Sequence, residues 1–258
     1  MRDPGVNQAI QAVGGVTELA RVLGIAQPSV SNWIKIPAER VIAVEAATGV
    51  SRAQLRPDLY GESVVAGDVD DIDEDRAQEY SLLATLLSRA PSKVLLKQLA
   101  QLRGDATPLG VAHAALGEAA GSINVAAVER EYFKLFIGLG RGDLLPYASY
   151  YLTGFLNERP LARLREDLAR LGIERADGNL EPEDHAATLC EIMAGLAAGR
   201  FPATAAAERE LFERHIAPWM GRLFADMENA AGAVFYRNVG TIGRLFLEIE
   251  AEAFTLAR

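Results

Sequence analysis

One cysteine, Cys190, and three histidines, His113, His185 and His215, are all the thiol and imidazole this chain carries. A lone cysteine excludes an intrachain disulfide and points to a reducing compartment. Its expected place is the core, as a small apolar residue rather than a reactive thiol. The scattered histidines leave zinc without clustered ligands, and there is no pair of Glu-x-x-His motifs to hold a di-iron centre. No Gly-x-Ser-x-Gly elbow accompanies them, so a nucleophilic hydrolase site lacks its parts. Long apolar runs are missing too: no stretch approaches the ~18 uncharged apolar residues of a bilayer span. Met1-Arg2-Asp3-Pro4-Gly5 opens no signal-peptide core. These absences lead us to expect a cytoplasmic, non-catalytic protein without a membrane span.

Aromatic residues make up only 7% of the chain, and no period-2 apolar alternation bounded by hairpin turns occurs. What is present instead is alanine and leucine within an apolar half of the sequence, a composition that favours helix over sheet. The expected fold class is all-α. Charge is unevenly distributed. Residues 1–60 hold six Lys and Arg against five Asp and Glu, a net of +1; the rest hold 20 against 30, a net of −10. An acidic body of this kind suits a basic partner, and any DNA contact belongs to the first sixty residues.

Gly61 to Asp75 (GESVVAGDVDDIDED) has no helical period and packs five aspartates and a glutamate into its last eight residues. It reads as an extended acidic linker at 61–75, its last few residues an acidic entry to the next helix, between a domain at 1–60 and a larger one at 76–258. Beyond it the pattern is helix after helix. Leu161, Leu164, Leu168 and Leu171 form one stripe, with Pro160 at the first helical position and Gly172 at the end. Asn124 caps a helix reaching about Ile137, and Glu181-Pro182 opens one that ends near Gly199. A helix over 204–229, bent near Pro218, and one over 232–256 complete the set.

Val16 to Trp33 (VTELARVLGIAQPSVSNW) carries the geometry of a helix-turn-helix. Ala20 is small where two helices cross, Gly24 permits the turn, and Val30 fills the angle from the second helix, with Leu19, Leu23 and Ile25 completing the core. With Pro37-Ala38-Glu39-Arg40-Val41 and the segment to Tyr60, this spacing resembles the Cro and YdaS-like repressor domains over about residues 6–60. The resemblance implies that Gln27, Ser29, Ser31 and Asn32 sit near the start of a recognition helix and that Lys35 and Arg40 reach phosphate. Relatives carry extra basic residues where this chain has only Ile34-Lys35-Ile36, and a net charge of +1 supplies little phosphate neutralisation. DNA binding and a docking or dimerising role for this domain both stay open.

Two constellations stand out in the larger domain. The first runs from Glu131-Tyr132-Phe133-Lys134-Leu135-Phe136 through Gly138, Gly140, Arg141 and Gly142 to Pro146-Tyr147. Its Gly-x-Gly-x-Gly is not a phosphate loop, since no strand precedes it and no Gly-Lys-Ser/Thr follows. The second is Glu181-Pro182-Glu183-Asp184-His185, which by itself is ordinary helix-start chemistry. Tyr-x-x-Leu-Phe-x-Gly followed some forty residues later by Glu-Pro-x-Asp-His resembles the TorD/DmsD family of molybdoenzyme chaperones, over about 76–258. Phe212, His215, Trp219, Phe235-Tyr236 and the Phe246–Glu250 tail extend the match; the departure is Leu139, where many relatives place Pro between the glycines. The resemblance implies a cytoplasmic chaperone that binds the twin-arginine signal peptide and the immature body of a molybdoenzyme subunit before export, with no cofactor of its own. Glu181, Pro182, Glu183, Asp184 and His185, with Tyr132, Phe136, Gly138, Arg141 and Tyr147, are then the candidate client contacts, the acids meeting the two guanidinium groups. The competing reading is a transcriptional regulator whose helical domain senses a peptide or small ligand. A homodimer is compatible with both domain types.

Overall fold

The computed structural model describes residues 3–37, 40–56, 71–175, 178 and 180–256. The chain divides into two compact units, Met1–Asp68 and Val69–Arg258. Among the described residues there is no β-strand, only one isolated antiparallel bridge between Tyr147 and His185.

The first unit contains α1 (Pro4–Ala12), α2 (Val16–Val22), α3 (Gln27–Ser31), α4 (Val41–Thr48) and α5 (Arg52–Leu55). Asp3 caps α1 by accepting from the Gly5 amide, and Ser51 caps α5 from the Gln54 amide. The α2–α3 turn has Gly24 at φ 64°, while Ala20 and Val30 are buried where those helices meet. Val6, Leu19, Ile36, Val41, Val44 and Leu55 close a core of its own.

The second unit holds α6 (Asp71–Ser88), α7 (Lys93–Leu99), α8 (Pro108–Ser122) and α9 (Val125–Tyr132), which runs into a π-helical turn, Phe133–Ile137. Then come α10 (Ala148–Thr153), α11 (Arg159–Arg170), α12 (Ala186–Ala197), α13 (Ala205–His215), α14 (Met220–Asn229) and α15 (Phe235–Leu256). No single helix among the described residues is long and apolar enough to cross a membrane. At the centre lies α12, packed on α6; ten of its twelve residues are buried, all but Thr188 and Glu191. A helix apolar nearly all round can only be an interior one.

Three sequence expectations need correction. The linker does not extend to Asp75: residues 71–75 are already the start of α6, and Asp73 pairs with Arg76 at 2.6 Å one turn on. Residues 61–70 lie outside the described residues. The expected bent helix over 204–229 is two helices. Pro218 has no amide proton to continue α13. A turn at Ile216–Trp219 separates α13 from α14, with the Trp219 indole donating to the His215 carbonyl at 2.7 Å. Finally, the segment after Glu181 is not yet helix at Pro182. Pro182–His185 forms a turn closed by the His185 amide on the Pro182 carbonyl at 3.1 Å, and α12 begins at Ala186.

Two polar devices join distant parts of this unit. Arg76 makes a two-pronged pair with Glu250, at 2.7 Å and 2.8 Å, and also reaches Glu208 at 2.6 Å. Such forked pairs are the strong ones. The buried Tyr80 hydroxyl donates to Glu250 as well, at 2.9 Å. α6, α13 and α15 are thereby tied at one point. Elsewhere Glu131 accepts from the amides of Val234, Phe235 and Tyr236 at 2.9, 3.2 and 2.7 Å. It thus satisfies the free amides at the start of α15 from another helix. We expect Glu131→Ala to lower stability by about 1–2 kcal/mol, the cost of an N-cap, and Glu131→Gln to recover part of it. Urea unfolding midpoints check this, and an unchanged Glu131→Ala midpoint refutes the capping role.

Candidate functional site

Two helix starts, far apart in sequence, are spliced together. The Ala148 amide donates to the Asp184 carbonyl at 3.0 Å and the Ala186 amide to the Pro146 carbonyl at 2.8 Å. Tyr147, the residue before α10, gives it no side-chain cap. The Asp184 carboxylate does so instead, accepting from the Ser149 amide at 2.8 Å and the Ser149 hydroxyl at 2.5 Å, and so pairs a donor the helix leaves open. His185 caps its own helix, Nδ1 accepting from the Ala187 amide at 3.1 Å. The proton of this neutral imidazole therefore sits on Nε2. The Tyr147 and His185 rings meet edge to face, centroids 4.9 Å apart, a favoured aromatic geometry.

The glycine-rich loop reaches the same place from α9. In the π-helical turn the hydrogen-bonded ring is wider than in an α-helix. The returning loop closes the carbonyls there: Asp143 donates to Lys134 at 3.1 Å and Leu144 to Leu135 at 2.7 Å. Gly138, at φ 64°, makes the reversal, and Gly142 lies so close to the Leu135–Phe136 backbone that a Cβ would overlap it. Only glycine suits either position. Tyr132 and Phe136 pack together at 5.0 Å, and both pack on Tyr236.

These elements enclose a cavity of about 560 Å³. Its walls are Tyr132, Phe136 and Ile137 from the α9 end, Pro146, Tyr147, Glu181 and His185 from the splice, and Ala187, Thr188 and Glu191 from α12. Ser81, Ala84, Thr85 and Ser88 come from α6, and Arg200 stands at the edge. The Tyr147 hydroxyl donates to Glu181 at 2.5 Å; burial and that carboxylate push its pKa up, so the phenol keeps its proton. Beside this cavity lies a second, about 710 Å³, sharing Ser81, Thr85 and Arg200 and lined otherwise mainly by Ala77, Leu82, Leu95, Ala194 and Ala198.

Of the ten client contacts named from sequence, Tyr132, Phe136, Tyr147, Glu181 and His185 come together on the cavity wall. The other five do not. Asp184 is 1% exposed and its carboxylate is committed to Ser149, so it cannot meet an incoming guanidinium. Glu183 pairs with Arg165 at 2.8 Å and lies 3.9 Å from Arg175; burial opposes its charge, and the Arg165 hydrogen bond holds its carboxyl below the ordinary range. Pro182 shapes the turn and Gly138 the reversal. Arg141 lies over the Tyr150 ring at 5.6 Å and is absent from the cavity wall, a cation–π arrangement that occupies its charge. Glu191 is a wall residue that the sequence reading missed. It is the only charged residue in α12, and a lone acid inside an otherwise apolar helix was the available signal.

The remaining histidines sit elsewhere. His113 pairs with Glu79 at 2.9 Å. His215 is buried, its Nε2 2.7 Å from Asp167, a carboxylate that Arg170 and Arg214 also hold. Cys190 is fully buried, its thiol pushed up to about 12 by burial. In the first unit, Gln27, Ser29, Asn32 and Lys35 are exposed and Ser31 is half-buried; Gln27 opens α3 and Asn32 follows it. Arg21 and Arg52 pair with Glu18 and Glu45, and Arg56 donates to the Ile36 carbonyl.

Fold and site together define a two-unit helical protein, a helix-turn-helix followed by a bundle with an acid-bearing cavity. Residues 6–64 match the family model described as bacterial toxin YdaS, and residues 102–225 the model described as nitrate reductase delta subunit. The putative transcriptional regulator YdaS of Escherichia coli (strain K12) is 48% identical over 58 residues, covering 20% of this chain and 59% of that protein. Chaperone protein TorD of Vibrio cholerae serotype O1 is 29% identical over 99 residues, covering 35% of this chain and 45% of that protein. A structure described as a redox enzyme maturation protein from Archaeoglobus fulgidus aligns with TM-score 0.46 and 19% identity, over 67% of this chain and 93% of that one. The chain spans about half the length of the curated relatives it matches. Two stretches of the chain are thus similar to known proteins, residues 6–64 to YdaS-type helix-turn-helix domains and residues 102–225 to the nitrate reductase delta subunit family that TorD resembles.

The two buried histidines predict a pH response. Burial pushes both His185 and His215 below their ordinary imidazole value, His215 to about 4. Their folded pKa values are depressed, so the unfolded chain takes up protons first. The stability they allow is complete above the unfolded value of about 6.5 and is lost as pH falls from there towards the folded values. His215→Gln should flatten the fall between about pH 6.5 and 4 in a series of urea midpoints. An identical slope in the variant refutes the assignment.

Proposed function

We propose that this chain is a redox-enzyme maturation chaperone. Its TorD-like unit holds the twin-arginine signal peptide and the immature body of a molybdoenzyme subunit in the cytoplasm until cofactor insertion. The observation that carries this reading is the cavity bearing Glu181 and Glu191 between aromatic walls, in a part of the chain with net charge −10. Exposed ion pairs contribute only ~0–1 kcal/mol each, whereas micromolar affinity requires about 8 kcal/mol. The two acids therefore select the peptide, and burial of its apolar stretch supplies most of the binding. The adjoining apolar cavity offers a surface for that burial.

A second role attaches to the first unit. Exposure of Gln27, Ser29 and Asn32 on and beside α3 favours a DNA-binding head, since Gln and Asn can read adenine edges. Client occupancy and transcription would then be read by one chain.

Calorimetric titration of the full chain with an Arg-Arg signal peptide and its Lys-Lys twin tests the chaperone reading. We expect micromolar binding of the first, and a roughly tenfold loss in Glu181→Gln combined with Glu191→Gln. No binding of any Arg-Arg peptide, with or without a client body attached, refutes it. For the head, Gln27→Ala with Asn32→Ala should abolish sequence preference, and Lys35→Ala should weaken all sequences and flatten the salt dependence. DNA binding that is absent even at low ionic strength refutes that role.

A further inference from the structure

The α6 wall of the first cavity carries three hydroxyls, Ser81, Thr85 and Ser88, at a spacing that sets them on one helix face. Each has a carbonyl of its own helix within reach. Ser81 donates to Ala77 at 2.7 Å, Thr85 to Ser81 at 2.8 Å, and Ser88 to Thr85 at 3.0 Å. The two phenols of the cavity are committed in the same way, Tyr132 to the Leu87 carbonyl at 3.2 Å and Tyr147 to Glu181.

A hydroxyl has one proton and two lone pairs. With five protons directed into backbone or carboxylate, these five oxygens have lone pairs left to offer a ligand. Glu181 and Glu191 are acceptors as well. Donors are few: the Thr188 hydroxyl, the Nε2–H of His185, and Arg200 where the two cavities adjoin. Such a lining repels phosphate and carboxylate, which would set lone pair against lone pair, and suits a group made of donors alone.

We propose that Ser81, Thr85 and Ser88 are specificity determinants that make this cavity a receptor for guanidinium in preference to ammonium. A guanidinium presents five N–H donors in a rigid plane and is weakly hydrated; an ammonium is a compact, strongly hydrated point charge with three. The carboxylates attract either cation by charge and take up part of a guanidinium's fork; the N–H donors left over, which an ammonium lacks, fall to the neutral oxygens. The ladder advances seven residues along the helix, about 10 Å, long enough to meet a planar fork at more than one edge. This rests on the signal-peptide reading above and names the residues that would enforce its Arg-Arg requirement.

The test is a comparison of ratios in the full chain. The unsubstituted protein should bind the Arg-Arg peptide at least about tenfold more tightly than the Lys-Lys twin. Ser81→Ala, Thr85→Val and Ser88→Ala together should collapse that ratio towards one by weakening the Arg-Arg peptide alone. Thr85→Ser, which keeps the oxygen, should preserve it. Alanine favours helix, so the triple variant should retain its melting point; should it misfold, Thr85→Val against Thr85→Ser decides the matter. A ratio unchanged in folded variants overturns the specificity role while leaving the chaperone reading intact. Failure of the unsubstituted chain to bind either peptide overturns both.

Discussion

The buried carboxylate of Asp184 holds the cavity end of the second unit in register. It takes two hydrogen bonds from Ser149, while the Asp184 carbonyl accepts from the Ala148 amide and the Ala186 amide, two residues on, donates to the Pro146 carbonyl. One side chain thus starts α10 and fixes the point from which α12 departs. Tyr147 and His185, the residues immediately beside this splice, face each other because of it, and Glu181, three residues before Asp184, is delivered to the Tyr147 hydroxyl. A buried acceptor that loses its donors costs about 1–3 kcal/mol, so the splice is favourable only while both chain segments are present and aligned.

The rest of the bundle supplies what the splice needs, a rigid backdrop. α12 is enclosed by apolar neighbours along nearly its whole length, and its two polar positions open on the cavity. α6 forms the opposite wall and is held at its far end by Arg76 against Glu250 and Glu208. The cavity is therefore bounded by helices that cannot tilt without breaking a core or a buried ion cluster. Geometry of this kind suits recognition of a fixed chemical group.

Much of this was legible in the residues. Asn124 does cap α9, Leu161, Leu164 and Leu168 do face inward, and the Val16–Trp33 spacing does build a helix-turn-helix. Those features are local, set by propensity and period within one or two turns. What escaped was non-local. Pro182 followed by acids is a generic helix-start signal, and nothing within five residues says that Asp184 is held by Ser149, 35 positions earlier. Glu183 likewise reads as a contact in sequence, yet its partner is Arg165 on α11. Tyr147, Glu181 and His185 share one wall because of that splice, and Tyr132 and Phe136 reach it from the end of α9; the other five could be sorted only once partners were visible.

Cys190 lies in the middle of α12, fully enclosed and 3.9 Å from the sulfur of Met220. A thiol reacts as thiolate and only where a reagent can reach it. Burial withholds both conditions, so alkylation has to wait until the central helix lets go of its neighbours. In kinetic terms the residue is a single-site clock: its modification rate counts openings of the bundle's centre. Anything that bridges α6 and α12 slows that clock without having to touch the sulfur.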